Sequence, residues 1–384
     1  MNSAIKHDIA FLDFLRGWSA IFVFFHHASI LGGGPFILAG PLGQEAVNAF
    51  MLASGFLIYF QCSTSKAYDG LRSSVGIKNF FIRRFFRIAP AYYLALIVAL
   101  VLSHYLGECR LIIQQTSVHA LSHQSTEMIR YYIPNYFENF LLHITFIFGL
   151  LPSFAFSTPL PDWSLGLEMQ FYVFFPVLFF FLKKNFLNFL TLTMLAMLAL
   201  GIASTRLGLN YPMPSFLPLK FHNFAAGIAL AYLLINKEAK VRYLIAAVAV
   251  VFLLLGNRSI YMPALFLFSW WFLCVDHAST HRLKEALNTV FKHRSSKFLA
   301  DISYSVYIFH LILVLPFFAF VLNGHPLSLL RWTGFSLILL MIVSAVGFVI
   351  YKYVELPGIK LGKSLLVSAK PTTVVKERTV RAAD

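Results

Sequence analysis

The sequence predicts an all-α polytopic integral membrane protein with about ten transmembrane helices. Hydrophobic residues make up 59% of its 384 residues, charged residues only 12%, and the mean hydropathy is positive at +0.73. Several apolar runs reach the ~20 residues that cross a bilayer. In lipid such runs must be helical, because every backbone polar group then needs a partner within the chain. Together these observations exclude an ordinary soluble enzyme.

The first predicted span, residues 11–31, is apolar but holds Asp13, Arg16, His26 and His27. A helix turns by about 100° and rises by about 1.5 Å per residue, so Arg16 and His27 lie roughly 20° apart in azimuth and about 16 Å apart in depth. Asp13 falls near this stripe, whereas His26 points roughly 80° away from Arg16. Arg16 and Asp13 also interrupt what would be the apolar region of a signal peptide, so we expect this helix to remain in the mature protein.

The next spans are predicted at about 44–61 and 88–106. The loop between them carries Arg83, Arg84 and Arg87 among other bases, and the positive-inside rule places it in the cytoplasm. The N-terminus is then cytoplasmic as well. The longer segment after the third span mixes acids and bases and is expected outside.

The apolar segment 140–156 is predicted to be re-entrant or interfacial, because a full crossing there would place Lys183 and Lys184 outside. On this count the C-terminus is cytoplasmic. Residues 1–363 are expected to form a single transmembrane domain, and the polar tail 364–384 to be disordered. The remaining spans are predicted at about 164–182, 186–205, 217–235, 243–255, 261–275, 299–322 and 331–351.

The net charge of +15 does not predict a nucleic-acid partner, because the basic residues flank apolar segments and read as topology signals. We expect the apolar segments to contact the lipid bilayer. Cys62, Cys109 and Cys274 are odd in number and far apart, which favours neither a disulfide framework nor a metal site. We therefore predict no metal.

Ionisable residues inside spans cost about 2.5 to 3.5 kcal/mol each on insertion scales and so need a partner or a purpose. Glu168 is predicted near the extracytoplasmic side, at the level of His27. A carboxylate beside an imidazole raises its basicity, so the pair could be the base of a group transfer. Alternatively, Glu168 caps a helix behind Ser164, Arg16 snorkels to the interface, and His27 lies at the outer interface.

Two further polar patterns stand out. Arg84 and Arg87 share a helical face, and guanidinium groups suit phosphate, whereas Arg83 is interpreted as a topology signal. Ser303, Tyr307 and His310 recur at i, i+4 and i+7, which makes a polar stripe or a satisfied core histidine. Ser54 and Gly55 are interpreted as small residues that let helices pack closely.

Six motifs, in order, resemble the membrane acyltransferase family 3 of bacteria. LDFLRGWSAIFVFFHH is similar to the family's first helix, with Arg16 and His27 separated by ten residues. AVNAFMLASGFLI and RRFFRIAPAYY resemble the next two motifs. Trp163, Ser164, Leu165 and Glu168, then Gln170, Phe171 and Tyr172, match its Trp-Ser-Leu and Glu signature. ISYSVYIFH and YKYVELP resemble its closing motifs, with Ser303, Tyr304, Tyr307, His310, Glu355 and Pro357. Met169 and Asn48 stand where the family often has acids.

The resemblance implies transfer of an acyl group, most often acetyl, from cytoplasmic acyl-coenzyme A to a hydroxyl of an extracytoplasmic or lipid-linked glycan, in the bacterial inner membrane. Acetyl-coenzyme A is then a substrate, and no cofactor is bound permanently. A macrolide or oligosaccharide acceptor, or a transporter without chemistry, are the alternatives. The implied catalytic residues are His27 and Glu168; the donor-binding residues are Arg16, Arg84 and Arg87; the lining residues are Asp13, Trp163, Ser164, Tyr172, Ser303, Tyr307 and His310.

Overall fold

The computed structural model describes residues 3–116, 128–236, 260–275 and 281–367. Of these residues 82% are helical and none lies in a strand, which confirms the all-α prediction. The helices are α1 Ser3–Gly32, α2 Phe36–Ala39, α3 Leu42–Thr64, α4 Ser74–Val101, α5 Ser103–Gln114, α6 Tyr136–Ile144, α7 Trp163–Leu182, α8 Phe186–Arg206, α9 Leu217–Ile235, α10 Tyr261–Cys274, α11 His281–Phe291, α12 Arg294–Leu322, α13 Leu329–Ile350 and α14 Leu356–Ser364.

Eight helices in the described part of the chain are long and apolar enough to cross a membrane. They are α1, α3, α4, α7, α8, α9, α12 and α13 with its continuation through α14. The predicted span 261–275 is present as α10, whose 14 residues rise only about 21 Å, short of the ~30 Å of a hydrocarbon core. The predicted span 243–255 lies outside the described residues.

The segment 140–156 contains no continuous membrane-crossing helix. Helix α6 has nine residues, Phe146 adopts a left-handed backbone conformation with φ 59°, and a 3₁₀ turn follows over Ile147–Leu150. Nine helical residues rise only about 13 Å, less than half of a bilayer core. The segment is therefore too short to cross a bilayer as one helix, which is compatible with the predicted re-entrant or interfacial segment.

Several helix ends meet at one face of the bundle, which we call the arginine end. Lys183 at the end of α7 donates from Nζ to the Gly70 carbonyl (3.2 Å), beside the start of α4. Asn79 in α4 donates to the Val367 carbonyl (2.9 Å) and accepts from the Val367 amide (3.0 Å). The basic loop after α3, the end of α7 and the end of α14 thus share a side, as the charge pattern predicts.

Small residues bring the central helices together. A Cβ built at Gly227 in α9 would overlap the Leu52 carbonyl of α3, and one at Gly55 would overlap the Phe224 carbonyl. At Gly17 it would meet the Leu299 side chain of α12. The packing role predicted for Gly55 is confirmed, and the close approach of α1, α3, α9 and α12 builds the walls of the site.

A π-helical turn, Tyr351–Glu355, joins α13 to α14. Such wide turns accommodate one extra residue and change the direction in which the following side chains point. Here the turn ends on Glu355, whose side chain is 1% exposed and faces the bundle interior. The acid therefore becomes available to a base on another helix.

Candidate active site

A cavity of about 330 Å³ opens at the arginine end, and we call it the arginine-lined cavity. Helices α1, α3, α4, α7, α12 and α14 all contribute to its wall. It brings together the predicted donor-binding residues Arg16, Arg84 and Arg87. Its charged lining consists of Asp13, Arg16, Arg83, Arg84, Arg87, Glu168, Asp301 and Lys363.

The bases of this cavity differ in how far their charge is balanced. Arg87 Nη1 lies 3.0 Å from Glu355 Oε1, and Ser305 donates to the other oxygen of that acid at 2.8 Å. Arg84 instead donates to the neutral amide oxygen of Gln61 at 2.6 Å. Arg84 thus offers a cation to a ligand, whereas Arg87 is already paired.

Two basic residues of the cavity, Arg83 and Lys363, were not predicted as ligand-binding. Arg83 was interpreted only as a topology signal, yet it lines the cavity with its guanidinium 5.1 Å from the centroid of the Tyr68 ring. Lys363 comes from α14, far along the chain in a stretch that reads as a tail boundary.

A smaller inner cavity of about 70 Å³ lies deeper in the bundle. Four residues line both cavities and form what we call the collar: Arg16, Ser54, Glu168 and Tyr304. Ser54 Oγ donates to Glu168 Oε1 at 2.8 Å, and the Tyr172 hydroxyl donates to the same oxygen. The collar joins the two cavities, with a cation and an acid in its wall.

The inner cavity is mainly apolar. Its polar lining beyond the collar comes from Ser164 and Tyr307. The Tyr307 hydroxyl donates to the Pro161 carbonyl at 2.8 Å, so at 2.7 Å it accepts from Ser164 Oγ. The apolar lining is Val47, Phe50, Met51, Leu165 and Phe224.

His27 and His310 are in direct contact beyond the inner cavity. His27 Nδ1 lies 3.0 Å from His310 Nε2 and 3.0 Å from the Val23 carbonyl oxygen. His310 Nδ1 lies 2.7 Å from the Tyr307 carbonyl oxygen. Tyr307 lines the inner cavity and lies 6.2 Å from His310 by ring centroid, and its ring also contacts that of Phe50 at 5.7 Å.

The predicted contact between His27 and Glu168 is wrong. Glu168 contacts Ser54, which lies about 18 Å along α3 from its start, whereas His27 lies only about 7 Å from the end of α1. Helix α7 begins deep in the bundle, because the loop before it folds inward, so Glu168 lies below the level expected. A span-by-span reading of hydropathy cannot reveal such a deep start.

The other predicted lining residues divide into two groups. Asp13, Ser164, Tyr172 and Tyr307 line one of the cavities, as expected. Ser303 instead donates to the Ala300 carbonyl of its own helix at 2.8 Å, and Trp163 is 5% exposed in the apolar core. A helical stripe predicts a face, but not which of its members reach a cavity.

A buried polar cluster fixes the turn that precedes α7. Asp162 accepts from the Tyr92 hydroxyl (3.1 Å) and from Thr158 Oγ1 (3.0 Å), and His143 Nε2 lies 3.7 Å away. Burial raises the pKa of Asp162 and lowers that of His143, although the Asp162 charge partly opposes the second effect. Arg130 donates to the Thr158 carbonyl at 2.7 Å. This cluster positions Ser164 at the inner cavity.

Comparison with known proteins identifies relatives of the chain. A family model described as an acyltransferase domain matches residues 9–354. Proteins of Staphylococcus aureus strains COL, MSSA476 and MRSA252, provisionally named O-acetyltransferases, are each 28% identical over 167 residues. That alignment covers 44% of this chain and spans only 24% of each relative's length. No solved structure matches the chain.

Proposed function

Because the chain belongs to the membrane acyltransferase family 3, we propose that it transfers an acetyl group from cytoplasmic acetyl-coenzyme A to a hydroxyl of an extracytoplasmic or lipid-linked glycan. The proposed setting is the bacterial inner membrane, with residues 1–363 acting as one unit. One observation carries the proposal: the collar joins the arginine-lined cavity to an inner cavity lined by Tyr307, whose ring lies 6.2 Å from His310, the partner of His27. The thioester of acetyl-coenzyme A, carried at the end of a long flexible arm, fits such a path.

The donor's phosphates are proposed to bind at the arginine-lined cavity. Arg84 and Lys363 offer charges there, and Arg83 adds a third. Guanidinium groups donate two hydrogen bonds to phosphate, and a Lys ammonium acts as a point charge. Arg16 lies deeper, on the collar, where it would face the thioester end of the arm.

His27 is proposed to act at the far end of this path. Its imidazole Nε2 would take the proton of the acceptor hydroxyl while the oxygen forms a bond to the thioester carbonyl carbon. The C–S bond then breaks, the sulfur keeps the electron pair, and the proton passes to the coenzyme A thiolate. In a second route His27 carries the acyl group briefly before the hydroxyl attacks. Glu168 is proposed to act at the collar, as the counter-charge to Arg16.

The proposal is tested in membrane vesicles from cells that produce the full chain, whose own glycans and lipid-linked sugars serve as acceptors. Radiolabelled acetyl-coenzyme A is added, and alkali-labile label in the glycan and lipid-linked sugar fractions is counted. We expect His27→Ala to lose the label. His26→Ala is the matched control, since His26 Nδ1 donates to the Leu38 carbonyl of α2, 3.0 Å away, and this variant should keep the label. Full labelling by His27→Ala refutes the proposal.

A further inference from the structure

The contact between His27 and His310 joins two residues that are 283 positions apart in the sequence. His310 is 1% exposed and lies on α12, whereas His27 lies on α1 and is half-buried. Two imidazoles at hydrogen-bond distance inside a bundle are costly unless their protons are arranged to suit each other. The neighbouring carbonyl groups decide that arrangement.

Each imidazole has one nitrogen beside a backbone carbonyl. Carbonyl oxygens only accept hydrogen bonds, so the Nδ1 atoms of His27, next to Val23, and of His310, next to Tyr307, must both carry hydrogen. This assignment follows from the hydrogen-bond network, as it must for histidine. In the neutral ring, His310 Nε2 then holds a lone pair.

The lone pair of His310 Nε2 faces His27 Nδ1 at 3.0 Å. The Nδ1–H of His27 is therefore shared between the Val23 carbonyl and His310, and the ring has two acceptors on one edge. The opposite nitrogen, His27 Nε2, is left with its lone pair. That nitrogen is the one that a general base uses.

We propose that His310 is a positioning residue for His27, on which the proposed function rests. It fixes the tautomer and orientation of His27, and it accepts a stronger hydrogen bond when His27 Nε2 takes the hydroxyl proton and the ring becomes a cation. A carboxylate commonly fills this place in catalytic groups of three residues. Here a neutral imidazole fills it, held in turn by the Tyr307 carbonyl.

The test uses the same vesicles and compares three His310 variants with one control variant. In His310→Phe, His27 loses its side-chain acceptor, and the maximal rate should fall about a hundredfold while KM for acetyl-coenzyme A stays within about twofold. In His310→Gln, an amide oxygen can reach the former Nε2 position, so the rate should return to within about tenfold of the wild type. His310→Asn reaches only the former Nδ1 position and should stay low. His325→Phe, at an exposed histidine, is the matched control and should be fully active.

The outcomes separate the two proposals. A His310→Phe protein at wild-type rate, equal rates for His310→Gln and His310→Asn, or a raised KM with unchanged maximal rate would each overturn the role of His310. If His310→Phe is absent from the membranes, the Gln and Asn variants still decide. Full activity of His27→Ala overturns the proposed function itself, whereas an inactive His27→Ala with an active His310→Phe overturns only this inference.

Discussion

Arg87 and Glu355 form an ion pair between α4 and the π-helical turn, with Nη1 and Oε1 3.0 Å apart. The acid is 1% exposed, and the base side chain 29%. Arg87 lines the arginine-lined cavity, and its charge is already balanced there by Glu355. Arg87 is therefore expected to matter for folding more than for donor binding.

Glu355→Gln should lower the free energy of unfolding by about 2 kcal/mol, because it removes a charged partner from a partly buried guanidinium. Unfolding in mixed micelles measures the change. The double variant Arg87→Gln with Glu355→Gln should lose less than the two single variants together. Glu285→Gln, at an exposed acid, is the control and should change stability by less than about 0.5 kcal/mol. Strict additivity would contradict a direct pairing.

Arg84→Ala and Lys363→Ala should each raise the Kd for coenzyme A about tenfold, the equivalent of about 1.4 kcal/mol for one lost charged contact. Calorimetry on the purified protein measures this, and added salt should shrink the difference. Lys352→Ala is the control, because that ammonium lies over the Tyr353 ring outside the cavity. An unchanged Kd for coenzyme A in both variants would mean that its phosphates bind elsewhere.

Ser54→Ala should lower the rate of acyl transfer about fivefold, since Glu168 loses one donor, worth about 1 kcal/mol, and keeps Tyr172. Ser54→Ala with Tyr172→Phe should lose more than the product of the single effects, because the acid then keeps neither donor. Thr64→Ala on the same helix is the control. Complete loss of labelling by Ser54→Ala alone would instead mean that Ser54 carries the acyl group.

The buried His143 should make the protein less stable as the pH falls below about 6.5. Burial lowers its pKa in the folded state, so between that lowered pKa and about 6.5 the unfolded chain binds more protons and stability declines with acid. His143→Phe keeps the stacking on Phe148 and should reduce this decline. Thermal unfolding between pH 7.5 and roughly pH 5 measures it. An identical decline in both proteins would place its cause elsewhere.

Helical geometry within one span was predictable. The stripe that carries Arg16 and His27 follows from a fixed rotation per residue, and the structure places the first at the collar and the second beyond the inner cavity. The grouping of the basic segments at one face also followed from charge, because the positive-inside rule places them on the same side of a membrane. Both rules act on a single stretch of chain and need no knowledge of neighbours.

Contacts between distant helices were not predictable in the same way. Glu168 was expected at His27, yet it bonds Ser54, and His310 takes the place beside His27. Which polar groups meet depends on how deep each helix starts and how it is rotated in the bundle. Packing sets both, through contacts such as that of Gly227 with Leu52. A polar residue inside a span indicates that it has a partner, but the sequence does not identify that partner.

The contact of Phe50 with Tyr307 has a consequence for the proton gradient across the membrane. A continuous polar path from the arginine-lined cavity to the imidazole pair would allow a file of water to form, along which protons would leak down their gradient. Phe50 and Tyr307 contact each other in the lining of the inner cavity, and such a contact would interrupt that file. We expect a donor arm that separates the two rings to fill the gap it opens, which would keep the membrane insulated during transfer.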